Sequence, residues 1–442
     1  MTNFFVLSKK LFEEGLNYLD KNNFVDAEKK FEEILLYFPD RISALTNLLN
    51  IKIKLKKFSD ARFLINKLLK IDPNNKEAIF SNILLLGESG NFKKSLEELN
   101  KFLLSKDLND VFLSELHTYR GILYSMLGFF TDSINEHLKA ANLNDHNHLA
   151  KWNLSLAYLL NGNLKKGFEL YESRFLKNKS KLFNSVKSLR EIKNKKILIV
   201  AEQGFGDIIQ FGRYLNLVKR YAKEVNFLPP PELYNFFENL NIHLVKKFNY
   251  HDYDYVIPLL SLPYIFKTDL HSIPDSNYLV HIKKNELQSK KINIGLAWSG
   301  RDTYPYDFLR SLQLCQLEKI YCLDSSKFQF YCLQKDIRKS DEDDFRKSDI
   351  IYLGDKNFLE IAQAILEMDL VISSDTSILH LASSLQVKTF GLIPFKPDWR
   401  WLLNTNYSPW YPTLGLFRCV DKSNDWNLVI NSVVKKLRLM FD

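Results

Sequence analysis

Apolar and small residues recur along the first 175 positions at helical spacing, and the pattern itself repeats with a period of 34. Gly15 and Tyr18 are followed by Ala27, Phe31 and Pro39; Ala61, Ile65 and Pro73 stand 34 residues beyond the last three, and Ser95 and Leu99 continue the series. After a four-residue insertion near Ser105–Asp110 the pattern returns as Gly121, Tyr124 and Ser133, then as Ser155, Tyr158, Gly167 and Tyr171. Each unit predicts two antiparallel helices. The small residues let the pair approach, the aromatics fill the gap, and the proline ends the second helix. Such pairs stack into a superhelix with a concave groove suited to a peptide or another protein. The same faces could instead dock on the rest of the chain or on a second copy.

From Lys196 the pattern changes to short β-rich runs alternating with helical stretches. KILIVAE, EVNFLPP, IHLV and YDYVIPL form one series; INIGLAWSG, KFQFYCLQ, DIIYLG, DLVISSD and KTFGLIP form a second. This alternation predicts two doubly wound halves with parallel sheets, α/β after α. The first strand runs into AEQGFGDIIQFGRYL, with Gly204 and Gly206 at the turn and Asp207 opening a helix. Glycines there admit a ligand to the backbone, and a helix start favours an anion. The third glycine of a dinucleotide fingerprint is missing, as is a ribose-binding acid about 20 residues on, which disfavours hydride transfer. In the second half DLVISSDTSILHLASSLQ predicts a buried strand ending at Asp375, with Thr376 and Ser377 starting a helix that carries His380 one turn on. Ligands of open α/β sheets sit beyond the carboxyl ends of strands, so these four residues are expected to converge there. An N-cap for Asp375 and a satisfied helix histidine for His380 are the alternatives.

With 442 residues, two or three domains are expected. The 46% hydrophobic and 26% charged residues fit a folded chain. The longest apolar runs fall far short of a bilayer span of about 20 residues, and the first residues lack signal-peptide organisation; a cytoplasmic location is expected. Cys315, Cys322, Cys332 and Cys419 show no metal-site spacing and are expected to be reduced and buried. The net charge of +9 could favour phosphorylated ligands or an anionic membrane face, or simply follow from the Lys-rich composition. Its local focus is Lys177–Lys196, read first as a linker and second as a peripheral membrane contact. Nothing in the chain resembles a nucleic-acid module, and no nucleic-acid partner is expected. Asp252-Tyr253-Asp254 spells the DxD of another transferase fold but precedes a short strand; no metal is expected. The run Asp341-Glu342-Asp343-Asp344 reads as a solvated loop.

The helical units resemble the tetratricopeptide repeat, about five of them over residues 8–175. The segments AEQGFGDIIQFGRYL, IGLAWSG with FLRSL, LVISSDTSILHLASSL, and PDWRWLL with SPWYPTLGLFR resemble glycosyltransferase family 9, which includes ADP-heptose:lipopolysaccharide heptosyltransferases, and in particular bacterial proteins that fuse repeats to such a domain. The resemblance implies a GT-B pair of Rossmann-like halves with a cleft between them. It implies a solenoid over 1–178, a basic linker over 179–195, an N-terminal half over 196–288 and a C-terminal half over 289–442. It also implies metal-independent transfer from a nucleotide sugar, without further cofactor, to a protein or cell-envelope glycan acceptor, with the repeats binding acceptor or partner. Asp207 matches the family's proposed general base; a helix cap is its other reading. Thr376, Ser377 and Arg310 would meet the leaving phosphates, alongside Gly204, Gly206, Asp375 and His380. Sugar or base contacts fall on Gln203, Trp298, Trp399 and Arg400, unless these aromatics are core. The chain departs from the family at Arg301–Leu309, which lacks a lysine for the donor. A catalytically inactive repeat scaffold is the alternative function.

Overall fold

The computed structural model describes residues 2–105, 108–175, 186–238, 240–284, 290–304, 307–420 and 425–441. The chain forms two compact units, residues 1–147 and 148–442.

Among the described residues the elements of the first unit are all helices, in pairs: α1 (Thr2–Asp20) with α2 (Phe24–Tyr37), α3 (Ile42–Lys54) with α4 (Phe58–Ile71), α5 (Lys76–Glu88) with α6 (Phe92–Phe102), and α7 (Asp110–Met126) with α8 (Phe130–Leu143). The small residues of the repeat sit at the crossings: Ala27, Ala61 and Ser95 are fully buried. A Cβ on Gly15 would lie 2.8 Å from the Phe31 ring, so this crossing admits nothing larger. Pro39 and Pro73 follow the ends of α2 and α4, as the repeat predicts. Asn23, Asn75 and Asn109 cap the following helices by accepting a backbone N–H. Lys52 is buried with its ammonium 2.5 Å from Glu28 and 2.8 Å from Glu32. Burial pushes the Glu136 carboxyl up, but bonds from His117 and Arg120 outweigh it and bring it down to about 2.

The second unit opens with one more helix pair, α9 (His148–Leu160) and α10 (Leu164–Tyr171), followed by a 3-10 turn over Glu172–Phe175. The spacing groups this pair with the repeats, yet it packs with the α/β body. The expected boundaries at 178 and 288 and the first half of the basic stretch lie outside the described residues. After α11 (Leu189–Ile192), β1 (Lys196–Val200), α12 (Phe205–Phe211), β2 (Glu224–Leu228), β3 (His243–Leu244) and β4 (Tyr255–Pro258) build a parallel sheet of order β3-β2-β1-β4. The second sheet contains β5 (Ile292–Ala297), β6 (Phe328–Cys332), β7 (Ile351–Tyr352), β8 (Leu370–Ser374), β9 (Thr389–Ile393), β10 (Tyr407–Ser408) and β11 (Tyr411–Arg418). Its order is β10-β11-β9-β8-β5-β6-β7, parallel except where β10 meets β11. Strands β8 and β9 are buried along their whole length, which fits the consecutive apolar residues Leu370–Ile372 in the one and the Phe390, Leu392 and Ile393 of the other. The Trp426–Phe441 helix buries Trp426, Val429, Ile430, Val433 and Leu437 against this sheet, a stripe at helical spacing.

Two sequence expectations need correction. The run Asp341–Asp344 is not a solvated loop: Glu342–Lys347 is helical, and Asp341 is fully buried, accepting from the Trp298 indole at 2.8 Å and the Leu314 amide at 3.2 Å. Cys332 and Cys419 are buried, but Cys315 and Cys322 are exposed.

Candidate functional site

Strand β1 ends at Val200, and the chain turns through Ala201–Gly204 into α12. Gln203 takes φ +64°, a left-handed conformation uncommon outside glycine. The Gly204 amide donates to Asp207 Oδ2 at 2.9 Å, so Asp207 closes its own helix start as a cap. Its other oxygen accepts from Arg400. Arg400 Nε also donates to Gln210 at 2.6 Å and NH1 to Asp398 at 2.8 Å, while its guanidinium carbon lies 4.3 Å over the Trp399 ring. This one arginine therefore fastens the start of the first half to the second. Burial raises the Asp207 pKa; Arg400 and the Gly204 amide pull it back, and Asp398 and Glu202 add to the rise.

The equivalent turn of the second half follows β8. Thr376 is the N-cap of the Ser377–Ser384 helix but makes no side-chain cap bond; its hydroxyl lies 3.1 Å from Ser373 Oγ. Asp375 is not the cap. It is buried, and burial together with repulsion from Asp398 pushes it up to about 6 against the opposing pull of Arg310 and Arg400. Arg310 NH1 donates to the Asp375 carbonyl at 2.8 Å, and its guanidinium carbon stands 4.7 Å over the Tyr304 ring. In the loop after β9, burial lowers Lys396 to about 8.

The two turns meet. A Cβ on Gly206 would fall 2.7 Å from His380, so α12 and the Ser377–Ser384 helix pack with no room for a side chain there. His380 is used in this packing: its Nδ1 lies 2.8 Å from the Tyr411 hydroxyl and its ring stacks on Trp401 at 5.2 Å. Burial and the neighbouring arginines hold it well below the usual histidine range, that is, neutral. The expectation that Thr376 and His380 converge on one ligand is thus corrected, because each side chain turns to a different neighbour.

Two expected ligand contacts are also corrected. Trp298 is fully buried in the core of the second sheet with its indole on Asp341. Trp399 is buried against Phe168, Phe211 and Trp410. Gln203 faces Tyr171 at 2.9 Å, and Arg400 is committed to carboxylates. Sequence reasoning passed over Arg213, which is buried and donates to the Trp410 and Pro274 carbonyls at 2.9 and 3.1 Å. It lay in plain view as the lone charge within the apolar run following Asp207. Also unforeseen is a cavity of about 640 Å³ at the carboxyl ends of β1 and β2, whose walls include Glu202, Gln203, Phe205, Pro230, Tyr234 and Lys246. Lys246 lies 4.8 Å over the Tyr234 ring. Among the described residues no group of three or more His, Cys, Asp or Glu comes together to hold a metal, and no helix is long and apolar enough to cross a membrane.

Residues 18–81 match the tetratricopeptide repeat family, which supports a repeat region at the N-terminus. Several solved structures are similar over part of this chain. One from Thermus thermophilus is 19% identical, covering 40% of this chain and 93% of its own, with a TM-score of 0.35. A repeat protein of Parabacteroides merdae is 20% identical over 39% of this chain and 68% of its own, with a TM-score of 0.28. PilF of Pseudomonas aeruginosa is 15% identical over 39% and 76%, with a TM-score of 0.33. Among curated proteins nothing matches.

Proposed function

We propose that the α/β unit is a metal-independent, nucleotide-sugar-dependent glycosyltransferase acting in the cytoplasm, and that the repeats are a protein-interaction scaffold serving it. The observation that carries the reading is the meeting of two strand–turn–helix units from separate parallel sheets, with Asp207, Asp375, Arg310 and Arg400 gathered where they join. Ligands of open parallel sheets lie beyond the strands' carboxyl ends, and here two such ends face one another. The donor diphosphate belongs at Thr376–Ser377, where the helix N–H groups and Arg310 supply positive charge. The acceptor, a protein or glycan group, belongs in the cavity of about 640 Å³ beside Gln203.

In the transfer, Asp207 takes the proton of an acceptor hydroxyl. That oxygen forms a bond to the anomeric carbon, and the bond from this carbon to the donor phosphate breaks, its electron pair leaving with the diphosphate. Because both oxygens of Asp207 are engaged, Arg400 must yield Oδ1 before Asp207 can serve as base. That same engagement favours a second reading, a repeat scaffold whose α/β unit is catalytically silent.

A thermal-shift panel with ADP, UDP, GDP and CDP and their sugars separates the two. A nucleotide at 100 times its dissociation constant adds about 2.7 kcal/mol, a shift of a few degrees. Stabilisation of the wild type that is lost in Arg310→Ala supports the enzyme; no response at millimolar concentration supports the scaffold.

A further inference from the structure

The last helix pair reaches the turn that carries Asp207. Arg174, just after α10, keeps only 8% of its side chain exposed. Its Nε and NH2 donate to the two oxygens of Glu202 at 3.1 and 2.7 Å, and NH2 also donates to Ser261 at 2.8 Å. NH1 donates to Glu172 at 2.6 Å and to the Tyr171 carbonyl at 3.0 Å. Glu202 further accepts the Leu260 amide at 3.1 Å, and Ser261 Oγ donates to Glu172 at 2.9 Å. One residue on, the Gln203 side-chain amide lies 2.9 Å and 3.1 Å from the Tyr171 hydroxyl through its nitrogen and oxygen. The next residue, Gly204, gives its amide to Asp207.

Docking a helix onto a sheet needs apolar contact, which Phe168 already supplies against Phe211, Trp399 and Trp410. It does not need a two-pronged guanidinium and a phenol aimed at two consecutive turn residues. A left-handed Gln203 persists only where its surroundings over-determine it, and these contacts are what surrounds it.

We propose that Arg174 and Tyr171 are positioning residues: they hold Glu202 and Gln203 in the turn that presents Asp207 and walls the cavity. The site is then built from three stretches of chain, the last helix pair among them. What the site is used for rests on the glycosyltransferase reading; the positioning does not.

Hydrogen exchange on the full chain tests it, with Arg174→Ala, Arg174→Lys and Tyr171→Phe beside the wild type. In Arg174→Ala the amides of residues 204–209 should exchange about tenfold faster while β8 and β9 keep their protection. Arg174→Lys retains the charge without the fork and should fall between, and Tyr171→Phe should show a smaller acceleration. Unchanged exchange in the turn of a folded Arg174→Ala overturns the proposal, as does acceleration spread evenly over both sheets, which marks a merely structural contact. Should Arg174→Ala fail to fold, Glu202→Gln removes the same ion pair with its shape kept and is read in the same way. In parallel, the nucleotide concentration giving half-maximal stabilisation should rise about tenfold in Arg174→Ala. If the wild type responds to no nucleotide, the glycosyltransferase reading falls, and the exchange pattern still decides the role of Arg174.

Discussion

Two strand–turn–helix units of like topology meet in the second unit, and they are finished in opposite ways. After β1 the turn is closed: Gly204 and Arg400 occupy both oxygens of Asp207, and Tyr171 and Arg174 hold the residues before it. After β8 the turn is open: Thr376 makes no side-chain cap bond, the buried Ser374 hydroxyl has no hydrogen-bond partner among the described residues, and Asp375 is pushed up to about 6. One turn is a braced anion. The other is a helix start without a side-chain cap, beside an acid whose pKa burial and Asp398 raise.

Removing the brace should have the largest effect. Arg400→Met leaves Asp207 and Asp398 without their guanidinium and should cost about 3–5 kcal/mol in urea unfolding. Adding Asp207→Asn should recover part of that loss; if it recovers none, the brace does not act through Asp207.

Acid titration tests the open turn. Because the native chain binds a proton on Asp375 more tightly than the unfolded chain, stability is retained at low pH and falls as pH rises from about 4 to about 6. The loss from Asp375 should be on the order of 2 kcal/mol, and Asp375→Asn should reduce the fall by that share. Glu136 in the repeats works the other way: its contribution is present above about 4.5 and is lost as pH falls toward about 2. Burial raises Asp207 as well, so the contrast lies in how much of the fall each variant removes; equal shares removed by Asp375→Asn and Asp207→Asn would abolish it.

The packing between them is next. Gly206→Ala drives a methyl into His380 and should cost about 1–3 kcal/mol, relieved in a His380→Ala background. The smallest effect belongs to Ser377→Ala, which should leave stability within about 0.5 kcal/mol while weakening nucleotide-dependent stabilisation. Equal losses at Gly206 and Ser377 would mean that both turns are packed alike.

The repeat spacing marked the helix crossings because a helix pair is a local object: its small residues, aromatics and proline lie within one period. The strands were legible for a similar reason, since β8 and β9 are buried throughout and carry short apolar runs, Leu370–Ile372 and Phe390–Ile393 around Gly391. The site was legible only as separate pieces. In the sequence Arg400 reads as a ligand contact, because neither Asp207 nor Gln210, its partners across the halves, stands near it. Trp298 and Trp399 show the same limit, as an aromatic beside a turn reads alike whether it faces solvent or core. Asp341 hides in a charge run because its three acidic neighbours remain accessible to solvent.

Helix pairs that touch only their neighbours can be duplicated or lost over evolutionary time with little consequence for the rest of a protein. The pair α9–α10 has given up that freedom, because it belongs to the unit that runs from His148 onward. Variation in repeat number among descendants of such a chain should accordingly fall upstream of residue 148, with α9–α10 inherited together with the sheets.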